Sequence, residues 1–170
     1  MLRLPPCEGT HVASRFSVLI PAALIIFSSA STAFAQTSGT PAAVSATTIP
    51  AAQQIQPAEL SKLLNSATGA PLVIQVGSRV FYEQAHIPGA KYAGPGSLPS
   101  GIEALERTVA AVAKDKFIVL YCGCCPWSRC PNVGPAFKRL QELGYTNVKV
   151  LFLANSFGDD WVRKGYPREH

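Results

Sequence analysis

Charged residues are scarce in this chain. Only 15% of its 170 residues are Asp, Glu, Lys or Arg, less than in an average soluble domain, and nowhere do five or more like charges run together. The formal net charge of +5 is therefore scattered, which argues against the basic stripe of a nucleic-acid-binding surface. Cysteine is nearly absent outside one stretch: Cys7 stands apart, and Cys122, Cys124, Cys125 and Cys130 are crowded together. Such a distribution cannot staple distant parts of a small fold, so a disulfide framework is excluded. No apolar run reaches the roughly 20 residues of a membrane-spanning helix. Glycine has no period of three, ruling out a collagen-like chain, and no internal repeat occurs. Turn residues are what the chain has in quantity. Its 13 glycines and 14 prolines are incompatible with a coiled coil or a simple helical bundle and imply one domain with many turns.

The N-terminus reads as an address. Arg3 and Arg15 precede an apolar run from Phe16 to Phe27, interrupted by Pro21 and followed by small residues that end Ala33-Phe34-Ala35. This pattern predicts a secretory signal peptide over 1–35, cleaved before Gln36. No twin arginine and no lipobox-like cysteine accompanies it, so the expectation is an exported, periplasmic protein without a membrane anchor after cleavage. Residues 36–54 lack charged and aromatic side chains and read as a flexible linker, leaving 55–170 as the domain. Four cysteines remain, all in one local site. In oxidising surroundings they must be kept reduced by a partner protein, protected by a ligand, or paired with one another.

Within the domain, Pro57 opens a helix whose Leu60, Leu63 and Leu64 share a face. The apolar runs 72–76 and 117–121 have strand length, as does 148–153, and the second runs directly into Cys122. Ile102, Leu105, Val109 and Val112 recur at helical spacing, as do Val133, Ala136, Phe137, Leu140 and Leu143, the latter set stopped by Gly144. Strands alternating with helices predict an α/β fold with a mostly parallel central sheet flanked by helices on both faces. Ligands of such sheets bind beyond the carboxyl ends of the strands, where Cys122 lies.

Three segments in order carry a family resemblance. Ile74 to Ala90 ends in His86-Ile-Pro-Gly-Ala90 with Tyr82 upstream, Ile118-Val-Leu-Tyr-Cys122 is a strand delivering a cysteine, and Trp161-Val-Arg-Lys-Gly-Tyr-Pro167 closes the chain. Together they resemble the rhodanese-like sulfurtransferases. The resemblance implies the rhodanese-like fold and a nucleophilic cysteine that carries sulfur as a persulfide. It also implies a small sulfur-containing anion such as thiosulfate as donor, a thiol or cyanide-like acceptor, and no cofactor or metal. Departures are specific. Gln75 and Gly77 stand where the family has Asp and Arg, Ala85 replaces a glycine, and Ser156-Phe157 replaces a double glycine. Loss of both partners of an ion pair is tolerable, because a stranded single charge costs most. Support of the active loop is expected to weaken with it.

The loop itself reads Cys122-Gly-Cys-Cys-Pro-Trp-Ser-Arg-Cys-Pro-Asn132. Two registers compete: Cys122 has the family's place at the strand end, whereas Cys124 has the family's four-residue separation from the arginine, here Arg129. Cys122 is the first assignment for the catalytic nucleophile and Cys124 the second. Arg129 would anchor a sulfonate-like anion. Gly123, Pro126, Trp127 and Ser128 would form the substrate loop, whose N–H groups, with the start of the next helix, would lower the thiol's pKa. Cys125 and Cys130 would be resolving or redox thiols, capable of converting a persulfide to a disulfide with release of sulfide.

Two other chemistries fit the same residues. Cys122 and Cys125 form a C-x-x-C after a strand, as in thioredoxin-like redox proteins, which would act with a redox partner protein. Four clustered cysteines also offer soft ligands for Zn²⁺, Cu(I) or an iron–sulfur cluster, although their crowding makes tetrahedral closure difficult. A phosphate-binding loop of phosphatase type shares the expected fold. Elsewhere ordinary structural roles are expected: a hydrogen-bonded turn for His86, a helix start for Asp159 and Asp160, and an exposed face for Arg163, Lys164 and Arg168.

Overall fold

The computed structural model describes residues 46–66 and 69–170; the expected signal segment 1–35 and the first part of the linker lie outside the described residues. Five strands form one sheet in the order β1-β5-β4-β2-β3, every neighbouring pair parallel. They are β1 (Gln54–Ile55), β2 (Leu72–Gln75), β3 (Lys91–Tyr92), β4 (Ile118–Tyr121) and β5 (Val148–Leu151). The helices between them are α1 (Pro57–Leu64), α2 (Arg79–Gln84), α3 (Pro99–Val109) and α4 (Val133–Glu142). This is the α/β architecture expected. The two edge strands are only two residues long, too short to leave a periodic signal.

Covering both faces of a parallel sheet makes its inner strands apolar throughout, and β4 has all four residues buried. Alternation of side chains then divides the core. Ile74, Ile118, Leu120, Val148 and Val150 pack with Leu105 and Val109 of α3 and Ala136, Phe137 and Leu140 of α4. Val73, Val119, Tyr121 and Leu151 pack on the other face with Leu60 of α1 and with Trp161. The C-terminal motif supports this second layer: Trp161 is fully buried, donates Nε1–H to the Pro167 carbonyl at 2.7 Å and lies against Phe157 and Tyr166. Among the described residues no helix is long and apolar enough to cross a membrane.

The linker expectation fails in its second half. Residues 46–48 and 51–53 form 3-10 turns, Gln54 pairs with Val150 in the sheet, and Ala46 and Ile49 are buried among the α4-side core residues. Small and β-branched residues without charge are what a close-packed layer accepts, so a composition that reads as linker here covers the sheet. Ile49→Ala is expected to lower stability by about 2 kcal/mol or more, as for a buried isoleucine. Urea denaturation would show it as a reduced midpoint, and an unchanged midpoint would return 46–54 to the linker.

Candidate active site

The segment from Cys122 to Asn132 joins β4 to α4 at the carboxyl end of the sheet and contains one 3-10 turn, Trp127–Arg129. Because even-numbered residues of β4 face α4, Cys122 continues that row and is 3% exposed within the core. Its carbonyl accepts from Gln75 Nε2 at 3.0 Å, and Gln75 Oε1 accepts from the Gly77 N–H at 3.2 Å. A side chain at Gly77 is excluded, since a Cβ there would stand 2.6 Å from the Cys122 oxygen. The two substitutions read as a loss of support therefore supply it in another form: a fully buried neutral amide holds the loop, and glycine lets the backbones approach.

Three sulfurs converge. Cys122 Sγ lies 2.9 Å from Cys124 Sγ, Cys124 Sγ lies 3.3 Å from Cys125 Sγ, and all three fall within 4.8 Å of one another. All four cysteines of the loop are free thiols. Asn132, which sequence reading passed over, donates Nδ2–H to Cys122 Sγ at 3.2 Å and reaches Cys124 Sγ at 3.7 Å. Its Oδ1 is fixed by the Ser97 N–H and hydroxyl at 3.1 and 2.8 Å. An asparagine at a helix N-cap ordinarily bonds the first-turn N–H groups, but this one makes no such bond. The available signal was its place after Pro131 and one residue before the helical pattern.

These contacts divide the thiols into donors and acceptors. Hydrogen bonding from Cys122, then from Cys125, the Cys124 N–H and Asn132, lowers the Cys124 thiol to about 6 against partial burial. Cys130 is likewise lowered to about 6, first by Cys122 and then by the N–H groups of Val133 and Asn132 at the start of α4. Hydrogen bonding to Cys124 and Cys130, with burial, pushes Cys122 far above the ordinary thiol range. Burial, then Cys124, pushes Cys125 up to about 12. The helix start expected to activate Cys122 thus serves Cys130, which is 4% exposed.

Access separates the two acidic thiols. Cys124 and Gly123 border a cavity of about 280 Å³ lined by Phe81, Gln84, Ala85, Ser156, Phe157, Gly158 and Val162. No lysine or arginine lines it. Gly123 adopts φ +79°, and a Cβ there would meet Phe157 at 2.9 Å, so the residue that replaced the family's glycine is a cavity wall. Arg129 is exposed and makes no ion pair or side-chain hydrogen bond among the described residues; the structure does not bring it to the sulfurs. Ser128 is exposed beside it, Pro126 precedes the 3-10 turn, and Trp127 packs its ring on Phe152 while its backbone N–H donates to the Leu153 carbonyl.

The family description "Rhodanese-like domain" matches residues 56–157. The chain belongs to that family. A Bacillus halodurans protein of solved structure is 25% identical with a TM-score of 0.53, covering 68% of this chain and 75% of its own. The rhodanese-like domain of an Anabaena protein is 23% identical with a TM-score of 0.50, covering 69% and 78%. An anaerobic ergothioneine biosynthesis enzyme from Chlorobium limicola, solved with trimethyl histidine, is 25% identical with a TM-score of 0.51; the match covers 69% of this chain and 28% of that one. No curated protein sequence matches. The thioredoxin-like alternative is not the fold of this rhodanese-like domain, and its C-x-x-C pair, Cys122 and Cys125, is not the closest pair of thiols.

The remaining candidate residues have structural places. His86 Nδ1 bonds the Tyr82 carbonyl at 2.9 Å, its ring stacks on Tyr82, and its backbone bridges Glu169. Asp160 accepts from the N–H groups of Asn155 and Ser156, and Asp159 pairs with Arg163. Lys164 and Arg168 are exposed. Iodoacetamide is expected to modify Cys124 before the other three thiols, with a rate that rises through pH 6 and levels off above it, since the thiolate is the reactive form. Asn132→Ala should move that midpoint upward by removing a donor. Peptide mass spectrometry across a pH series checks both; first labelling at Cys122 would overturn the assignment.

Proposed function

We propose that this rhodanese-like domain is a sulfurtransferase or sulfane-sulfur carrier in which Cys124, not Cys122, forms the persulfide. One observation carries the reading: Cys124 is the only one of the four thiols that borders the 280 Å³ cavity while also accepting hydrogen bonds that favour its thiolate. The Cys124 thiolate attacks the outer sulfur of the donor, the donor's S–S bond breaks, and the leaving group departs as sulfite from thiosulfate or as a thiolate from an organic persulfide. An acceptor thiol or cyanide then takes the outer sulfur and returns the Cys124 thiolate.

The neighbouring thiol supplies a second outcome. Cys122 Sγ, 2.9 Å away, can attack the Cys124 sulfur of the persulfide, forming a Cys122–Cys124 disulfide and releasing sulfide. The two cysteines are oxidised, the sulfane sulfur is reduced, and a reducing partner protein must restore the pair. Export, proposed on the N-terminal pattern, would place this exchange in the periplasm, where such a partner is required. The largely apolar, cation-free cavity favours a low-charge organic donor over a dianion; thiosulfate is a probe of the chemistry.

Reduced protein exposed to thiosulfate or to a low-molecular-weight persulfide should gain the mass of one sulfur atom, lost again with cyanide. Cys124→Ser should abolish the gain and Cys122→Ser should retain it, because only the former removes the attacking atom. Arg129→Gln should change the loading rate by no more than about twofold, as for a group without contact to the reacting atoms. Sulfur retained in Cys124→Ser, or a large loss in Arg129→Gln, would reject this arrangement.

A further inference from the structure

The cysteine cluster gathers more sulfur at one point than a single persulfide requires. On the side away from the Cys124 cavity, Cys122 and Cys125 also border, with Cys130, a small space of about 10 Å³ lined by Gly123, Trp127, Val133, Leu151 and Leu153. Sulfur is its only side-chain donor, and the walls are otherwise apolar. The three converging thiols include no His, Asp or Glu, and the one nearby amide, Asn132, presents N–H groups, which do not ligate metals. Among the described residues no Lys, Arg or His side chain hydrogen-bonds or ion-pairs with the sulfurs. Three soft sulfur donors are therefore gathered around one point, Cys122 buried and Cys124 and Cys125 half-buried, with no cationic side chain bonded to them.

We propose that the reduced cluster binds one Cu(I) ion through Cys122, Cys124 and Cys125. Hard cations are excluded by the absence of oxygen ligands. Among soft ions, Zn²⁺ requires a tetrahedron of four ligands with Zn–S near 2.3 Å, whereas three sulfurs converge here. Cu(I) is satisfied by two or three thiolates. No electron transfer accompanies binding; the ligating thiols release their protons to solvent as the metal–sulfur bonds form. Burial of Cys122 keeps water from the ion, and occupation of Cys124 blocks sulfur loading, so copper and sulfane sulfur compete for one cluster. The inference does not rest on the persulfide reading, since metal binding is measured without a sulfur donor and sulfur loading without metal.

The test uses the full chain with Cys7→Ser, so that the loop provides the only thiols, reduced and kept anaerobic. Cu(I) is titrated against bathocuproine disulfonate as competing chelator. One equivalent should transfer to the protein, and X-ray absorption should show sulfur ligands alone, about three of them. Cys125→Ser should weaken binding by more than the roughly 10- to 100-fold typical of changes outside the ligand set, whereas Cys130→Ser should retain one equivalent. Circular dichroism of each variant separates loss of a ligand from loss of the fold. The Cu(I)-loaded protein should gain no sulfur from thiosulfate. Nitrogen or oxygen ligands, no transfer from the chelator, displacement by equimolar Zn²⁺, or unaltered affinity in Cys125→Ser would each overturn the proposal.

Discussion

Cys122 is held where the central strand runs out of backbone partners, and the rest of the site depends on that placement. Its side chain continues the row of β4 residues buried against α4, while its carbonyl is bound by the Gln75 amide and its sulfur by the Asn132 amide. Both amides are buried and both are satisfied on their other atoms. Neutral groups suit this position because each exchanges a hydrogen bond to water for one to protein, without the desolvation cost of an ion pair. With Cys122 anchored, Gly123 turns the chain at φ +79°, and Cys124 and Cys125 fold back over the same sulfur.

The consequence is a division of labour among thiols of similar intrinsic acidity. Cys122 and Cys125 retain protons and donate, and Cys124 and Cys130 accept. Only Cys124 combines acceptance with a cavity. Activation therefore comes from sulfur and amide donors rather than from a cationic side chain, and the cavity wall is supplied by Phe157 and Val162. A site built this way stabilises a thiolate while offering little attraction to a free anion. In the proposed sulfur transfer, that combination would separate the chemistry of the sulfur from the recognition of its donor.

Larger cavities elsewhere do not compete with this one. The cleft of about 380 Å³ along Pro57, Phe152, Asp160 and Lys164 contains no thiol, and Asp160 is committed to the backbone N–H groups of Asn155 and Ser156. The C-terminal motif has a comparable structural role: Trp161 and Phe157 close the second core layer and bring residues 156–162 beside Gly123.

Much of the fold was legible in the sequence because burial on both faces leaves continuous apolar runs at 72–75, 118–121 and 148–151, and amphipathic helices leave a period near 3.6. The cluster of cysteines, its place at the end of β4, and the spacing of the family motifs were legible for the same reason: they are local in the chain. Three things were not. Ala46 and Ile49 became core because a distant helix covers them, Gln75 and Asn132 became supports because the sheet and the folded loop bring residues 47 and 10 positions away onto Cys122, and the choice between Cys122 and Cys124 turned on which sulfur faces the core. Sequence by itself determined which atoms are available and that they lie at a strand's end. Only tertiary structure decided which thiol keeps its proton and which meets a cavity, since acidity depends on how the loop folds its own sulfurs and Asn132 together, and access on residues 81–85 and 156–162 that the chain supplies from far away.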